Sequence, residues 1–247
     1  MIKNVRLEKV LFLDVETVAG AKSFDELDED FRQFWEKKAS RLKNRTEGEP
    51  DPAELYDRFA GIYSEFGKIV CISVGYFSEL RTGQREFRVK SFYGDDEKIL
   101  LEEFAELISN YFSNPNMHFF CGHNIKEFDI PYIGRRMLVH KIELPPMLNI
   151  PGKKPWEVKY LLDTMELWKF GDYKAYTSLA LLAKLFGVPT PKDDIDGSMV
   201  NGVYWEGNQL ERIATYCEKD VVATAGVFLG MRGEDPLTEN EVLSANG

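Results

Sequence analysis

Asp14 and Glu16 stand two residues apart in the run Val10-Leu-Phe-Leu-Asp-Val-Glu-Thr17. On a β-strand, side chains two apart share a face, so this spacing sets two carboxylates side by side. Such a pair offers hard oxygen donors, which select Mg²⁺ or Mn²⁺ over zinc, and two such ions held about 3.5–4 Å apart suit phosphodiester chemistry. An Asp-x-Glu pair also arises by chance and reads equally as an exposed strand end. The preceding apolar run argues against that reading, because two like charges packed against a core strand repel unless something neutralises them.

Two further groups have the same character. Asn124-Ile-Lys-Glu-Phe128-Asp129 falls at a predicted strand-to-helix transition, and Tyr216-Cys-Glu-Lys-Asp220 falls within the last predicted helix. Tyr216 and Asp220 are four apart and share a helical face, while Ile213, Ala214 and Cys217 orient that helix against a sheet.

Taken in order, the three groups resemble the motifs of the DEDD exonucleases of the ribonuclease H-like fold, in the tyrosine-bearing subgroup. The similarity is to the predicted 3′–5′ exonucleases related to the proofreading domain of family-B DNA polymerases, from about Val10 to Leu229. The resemblance implies that Asp14, Glu16, Asp129 and Asp220 hold two divalent metal ions, Mg²⁺ or Mn²⁺, and that Tyr216 positions the attacking water. The histidine-bearing subgroup would place histidine five residues before the last aspartate, where this chain has Thr215. By the same resemblance Val15 and Thr17 face the terminal nucleotide, and Asn124 and Phe128 line the scissile end. Read from the residues alone, Asn124 serves equally as a helix cap and Phe128 as core.

The implied partner is the 3′ end of single-stranded nucleic acid, DNA favoured over RNA, with no membrane involved and any replication or repair partner left open. RNA trimming is the rival activity. A non-catalytic binding module is the rival class, but it would be expected to show a gap among the acids, and none is missing. There is no recognisable polymerase region, which implies a free-standing domain or one subunit of something larger.

The elements that must position these groups follow from periodicity. A buried strand is predicted from Lys9 to Thr17, then a helix through about residue 40, started by a Ser23/Glu26 capping box and carrying Phe24, Leu27, Phe31, Phe34 and Trp35. A basic stretch (Lys37, Lys38, Arg41, Lys43, Arg45) runs into Gly48 and Pro50, and Asp51-Pro52 opens a second helix. Strands are expected over 69–77 and 85–93, joined through Arg81-Thr82-Gly83-Gln84, with a short strand ending in Cys121-Gly122-His123-Asn124 and another over 158–162. Helices are expected over 95–112, 127–139, 178–186 and 209–231. The fold class is α/β, a mixed central sheet flanked by helices, with a helical insertion over 19–67 after the first strand. One domain spans 1–232, and 233–247 is a loosely held tail.

Other residues carry weaker signals. His118 and His123 lack ligand spacing and read as hydrogen-bonded structural residues. Asp194, Asp196 and Gly197 suggest a calcium loop, but Lys192 and Val203 occupy its first and last ligand positions. Asp163 reads as a helix cap more readily than as a catalytic acid. Arg135, Arg136, Lys141, Lys153, Lys154 and Lys192 are candidates for a local positive surface, and Trp156, Tyr173 and Tyr176 for base stacking.

Composition agrees with one globular domain. The 247 residues carry 31 basic and 41 acidic side chains, a net charge of −10, which argues against a broad basic face gripping duplex phosphates. Cys71, Cys121 and Cys217 form no Cys-x-x-Cys pair, which suits a reducing compartment. The apolar run from Val10 is broken too soon for a signal-peptide core or a membrane span, so a cytoplasmic location is expected.

Overall fold

A computed structural model of the chain describes residues 2–42, 51–78, 85–172, 176–189 and 195–245. The strands are β1 (Val10–Ala19), β2 (Gly67–Phe77), β3 (Phe87–Tyr93), β4 (Phe119–Gly122), β5 (Leu161–Asp163) and β6 (Val242–Ser244). They form one sheet in the order β5-β4-β1-β2-β3-β6. β2 is antiparallel to both β1 and β3, and every other pairing is parallel. The run β3-β2-β1-β4-β5, with β2 alone reversed, is the ribonuclease H-like arrangement that the resemblance implies.

Helices cover both faces. Leu11, Leu13 and Val15 of β1 point to one side, where they pack against Leu101, Phe104 and Ile108 of α3 (Glu97–Tyr111) and Ile130, Ile133 and Met137 of α4 (Asp129–Val139). Val10 and Phe12 point to the other, against Val221, Ala225 and Phe228 of α8 (Leu210–Arg232). There the Phe12 ring meets Phe77, Phe87 and Phe228 edge-on at 5.9, 5.6 and 5.7 Å. Phe12 lies opposite Gly75. A Cβ at Gly75 would come within 2.3 Å of the Phe87 ring, so this packing requires a glycine.

Between β1 and β2 the chain leaves the sheet to form α1 (Glu29–Ala39) and α2 (Pro52–Phe59). Trp35 packs on Tyr56 and Phe66 at 5.3 and 5.0 Å and donates to Pro52 O at 2.7 Å, giving the excursion its own small core. Asp51 caps α2 through Ala53 N as expected, but the predicted Ser23/Glu26 box does not start α1. Glu26 accepts instead from Lys22 N, and Asp28 caps α1 by accepting from Phe31 N. Phe31 and Phe34 consequently face solvent at 43 and 57% exposure.

Three elements carry no periodic signal of their own, and of these only α5 was anticipated, through the Asp163 cap. The short helices α5 (Thr164–Lys169) and α7 (Val200–Trp205) are each six residues, too brief for a periodic signal. The short helix α6 (Leu179–Leu185) lies between them. In α7, Asn201 Oδ1 accepts from Ala19 N at 2.9 Å and Trp205 Nε1 donates to Ala19 O at 3.1 Å, so this helix satisfies the backbone at the end of β1.

The third is β6, which corrects the expectation of a loose tail. Residues 242–244 pair with β3, Leu237 is buried, and Arg85 clasps Glu241 at 2.8 Å and the carbonyl of Asp235 at 2.7 Å. A strand of three residues anchored through distant side chains has little signature in its own sequence. Arg81-Thr82-Gly83-Gln84 and the stretch 43–50 lie outside the described residues.

Truncation after Gly233 should lower Tm by several degrees, since each 1 kcal/mol shifts Tm by about 2–4 °C at this chain size. An unchanged melting curve would restore the loose-tail reading.

Candidate active site

On the α8 side of the sheet, the β1 positions that carry Val10 and Phe12 continue as Asp14 and Glu16. α8 lies across these positions, its buried face running from Phe228 through Ala225 and Val221 to Cys217. Tyr216 and Asp220 flank Cys217, and the Tyr216 hydroxyl hydrogen-bonds Asp220. The helix therefore covers β1 with apolar side chains over Phe12 and with polar ones where β1 becomes acidic.

Asp129 arrives from the other side. Pairing of β4 with β1 ends at Phe12↔Cys121, so beyond it the β1 backbone has an edge without a strand partner. There the Asp129 carboxylate, in the first turn of α4 and 3% exposed, accepts from the Val15 main-chain N–H.

The approach to α4 is fixed by Asp163. Its carboxylate accepts from Asn124 N at 3.0 Å, Lys126 N at 3.2 Å and Met165 N at 3.0 Å, and also caps α5 through Glu166 N. The cap reading of Asp163 is thus correct, but its hold on the β4–α4 turn left no signal in sequence. Asn124 sits at φ +65°, a left-handed conformation that asparagine tolerates, and its Oδ1 is buried without a hydrogen-bond partner among the described residues.

The electrostatics are those of acids confined together. Burial raises Asp14 well above the usual carboxylate range, and Asp129, Glu16 and Asp220 raise it further, while a hydrogen bond from Cys217 opposes them. Burial likewise raises Glu16, followed by the charges of Asp220, Cys71 and Asp129. Asp129 is pushed up to about 7, mainly by burial. Tyr216 is raised above its ordinary value by burial and then by Asp220, Glu16 and Asp14, so its hydroxyl stays protonated at neutral pH. The four predicted carboxylates and Tyr216 are therefore brought within mutual influence from β1, α4 and α8.

This donor set fits divalent metal. Glu16 and Asp129 are buried and Asp14 and Asp220 half-buried, all are oxygen-bearing and mutually repelling, and a hard cation is the neutraliser that such a set accepts. The ligand atoms of Asp14, Glu16 and Cys217 all lie within 4.8 Å of one another. From sequence Cys217 reads only as an apolar contact, because a cysteine beside apolar residues gives no hint that a strand will bring carboxylates beside it.

The remaining candidates are placed as follows. Val15 is buried on the opposite face, with only its backbone turned toward Asp129. Thr17 hydrogen-bonds the Tyr132 hydroxyl, which itself donates to Gly61 O at 2.8 Å. Phe128 packs on Tyr132 at 5.5 Å and borders the core. His123 bridges Thr164 Oγ1 and Thr177 O, both at 2.9 Å, and His118 Nδ1 accepts from Asn114 N, so both are structural. Arg136 is not surface charge: it pairs with buried Glu97 at 2.6 Å. Trp156 and Tyr176 are exposed. Tyr173, Lys192 and Asp194 lie outside the described residues, and Asp196 accepts from Ser198 N and Oγ.

Residues 62–243 match the family of predicted 3′–5′ exonucleases related to the exonuclease domain of PolB. This is well over half of the chain, and the chain belongs to that family. The matched stretch contains Asn124, Asp129, Tyr216 and Asp220. Asp14 and Glu16 precede it, and the fold brings them to the same place. No curated protein matches the chain. Among solved structures, the chain is similar to the family B DNA polymerase from the hyperthermophilic archaeon Pyrobaculum calidifontis, at 14% identity and a TM-score of 0.47. That similarity covers 90% of this chain and 27% of the polymerase. No helix among the described residues is long and apolar enough to cross a membrane.

The raised pKa of Asp129 predicts a pH-dependent stability. An unfolded aspartate titrates near 3.9, so the folded chain binds this proton more tightly. The stabilisation is complete below about pH 4 and lost as pH rises through about 7. In chelator, the Tm of the parent should therefore fall between pH 6 and 8 by more than that of Asp129→Asn. The opposite difference would show that Asp129 stays ionised in the fold.

Proposed function

We propose that this chain is a divalent-metal-dependent 3′–5′ exonuclease that releases nucleoside monophosphates from single-stranded DNA ends. The supporting observation is the convergence of Asp14, Glu16, Asp129 and Asp220, each of the first three held protonated more tightly than usual by burial, with the other acids adding to the effect at Asp14 and Glu16. Family membership supplies the reaction class.

Asp14, Glu16, Asp129 and Asp220 would hold two Mg²⁺ or Mn²⁺ ions, which when bound polarise water and offset charge on the phosphate oxygens. Tyr216 cannot act as a general base at neutral pH, because its surroundings hold the phenol protonated. Its hydroxyl, hydrogen-bonded to Asp220, instead orients the attacking water. Asn124, beside the start of α4 that carries Asp129, would line the scissile end. Asp163 keeps the turn that carries Asn124 in place.

The charge balance makes a further demand. A chain of net charge −10 with an acidic cluster repels a polyanion, so productive binding requires the cation that inverts the local potential.

The test uses single-stranded DNA and RNA with 5′ and 3′ ends separately blocked, in Mg²⁺, Mn²⁺ or chelator. DNA should shorten from its free 3′ end in either metal and not in chelator. Shortening from the 5′ end, or undiminished activity in chelator, would overturn the reading, and faster shortening of RNA would transfer the assignment to RNA ends. Asp14→Ala and Asp220→Ala should each reduce kcat by at least about 10³-fold, and Tyr216→Phe by only about 10²-fold. A Tyr216→Phe variant as inactive as Asp14→Ala, with both folded, would give Tyr216 a larger chemical role.

A further inference from the structure

All three cysteines are fully buried, but only Cys71 and Cys217 stand at the carboxylates. Cys217 Sγ lies 3.4 Å from Asp14 Oδ2 and 3.4 Å from the Asp14 main-chain oxygen. Cys71 lies opposite Glu16 in the β1–β2 register, and its thiol hydrogen-bonds that of Cys217. Cysteine adds sulfur to a donor set otherwise made of oxygen.

Glu16 is an independent sign of a ligand. It is 8% exposed and its carboxylate has no hydrogen-bond partner among the described residues, yet its oxygen lies within 4.8 Å of both Cys217 Sγ and an Asp14 oxygen. A buried carboxylate without a donor is costly, and a cation between these three atoms removes the cost.

The spacing also suits a particular class of ion. A tetrahedral ion with metal–sulfur and metal–oxygen bonds of about 2.3 and 2.1 Å sets its sulfur and oxygen ligands about 3.6 Å apart. Cys217 Sγ donates a hydrogen bond to Asp14 Oδ2 at 3.4 Å, so the two atoms already stand about as far apart as two such ligands would. Mg²⁺ does not take a thiolate, whereas Zn²⁺ and Cd²⁺ do.

We propose that Cys217, Asp14 and Glu16 form a soft-metal site that binds Zn²⁺ or Cd²⁺ through one sulfur and two carboxylates, in competition with the hard ion the carboxylates otherwise serve. Binding exchanges the Cys217 S–H bond for a sulfur–metal bond, the proton passes to solvent, and no electron is transferred. The competition rests on the exonuclease reading; the binding itself does not. The consequence is that soft ions act as inhibitors by occupying part of the catalytic cluster.

The experiment titrates Cd²⁺ alone into the full chain, reduced, stripped of metal and without nucleic acid, while following the ultraviolet sulfur-to-cadmium charge-transfer band. A band that saturates at one equivalent is expected in the parent, in Cys121→Ser and in Cys71→Ser. Cys217→Ser should lose the band and bind Cd²⁺ at least about tenfold more weakly. A band retained in Cys217→Ser, or lost only in Cys71→Ser, would overturn the proposal.

X-ray absorption of the zinc-loaded parent needs no variant: one sulfur at about 2.3 Å supports the site, and a shell without sulfur contradicts it. A cadmium–sulfur band in a protein without nuclease activity would sink the exonuclease reading and leave this one standing. Nuclease activity without the band would do the reverse.

Discussion

Repulsion among carboxylates governs this structure. Asp14, Glu16, Asp129 and Asp220 come from three elements distant in sequence, and Asp14 feels all three of the others in addition to its burial. Left to themselves such groups would separate or remain protonated. The rest of the fold is arranged so that they do not separate. β1 is the central strand, held by β2 on one side and β4 on the other, and its apolar first half is locked under α8 by the Phe12 ring cluster. Asp14 and Glu16 continue that locked strand, so their positions are set by core packing a few residues away.

The second half of the constraint is met by hydrogen bonds that spend backbone donors on the acids. Val15 N–H holds Asp129, and Asp163 gathers the amides of Asn124 and Lys126 so that α4 starts where Asp129 can reach β1. α7 closes the far end of β1 through Asn201 and Trp205. These groups cost little individually, but together they leave the carboxylates few directions in which to relax. On the soft-metal proposal, the thiol of Cys217 would tilt the affinity of this confined site toward softer ions than oxygen alone would choose.

Much of this was legible from sequence because the informative residues sit in strongly patterned elements. Val10 to Leu13 is a core strand in any context, and the four-residue step from Tyr216 to Asp220 places both on one helical face. What sequence could not show is contact between elements. Cys217 and Cys71 look like ordinary apolar positions until β1 and β2 are paired, and Asp163 looks like a local cap until α4 is placed beside it. Arg136 looks like surface charge until Glu97 turns inward to meet it. The short elements α7 and β6 were missed for a related reason: their stability comes from partners, not from their own periodicity. The Ser23/Glu26 box misled in the other direction, because a local cap motif was satisfied within its own turn and Asp28 started the helix instead.

The most direct test of the account is the melting of the parent and Asp14→Asn with and without Mn²⁺. Removing one charge at nearly constant shape should leave Tm in chelator equal to or above that of the parent. Mn²⁺ at about 100 times its Kd should stabilise the parent by about 2.7 kcal/mol, or about 5–10 °C, and the variant by less. If Asp14→Asn instead melted lower with and without Mn²⁺ while nuclease activity survived, Asp14 would be a structural hydrogen-bond acceptor. The convergence of carboxylates would then not be a metal site.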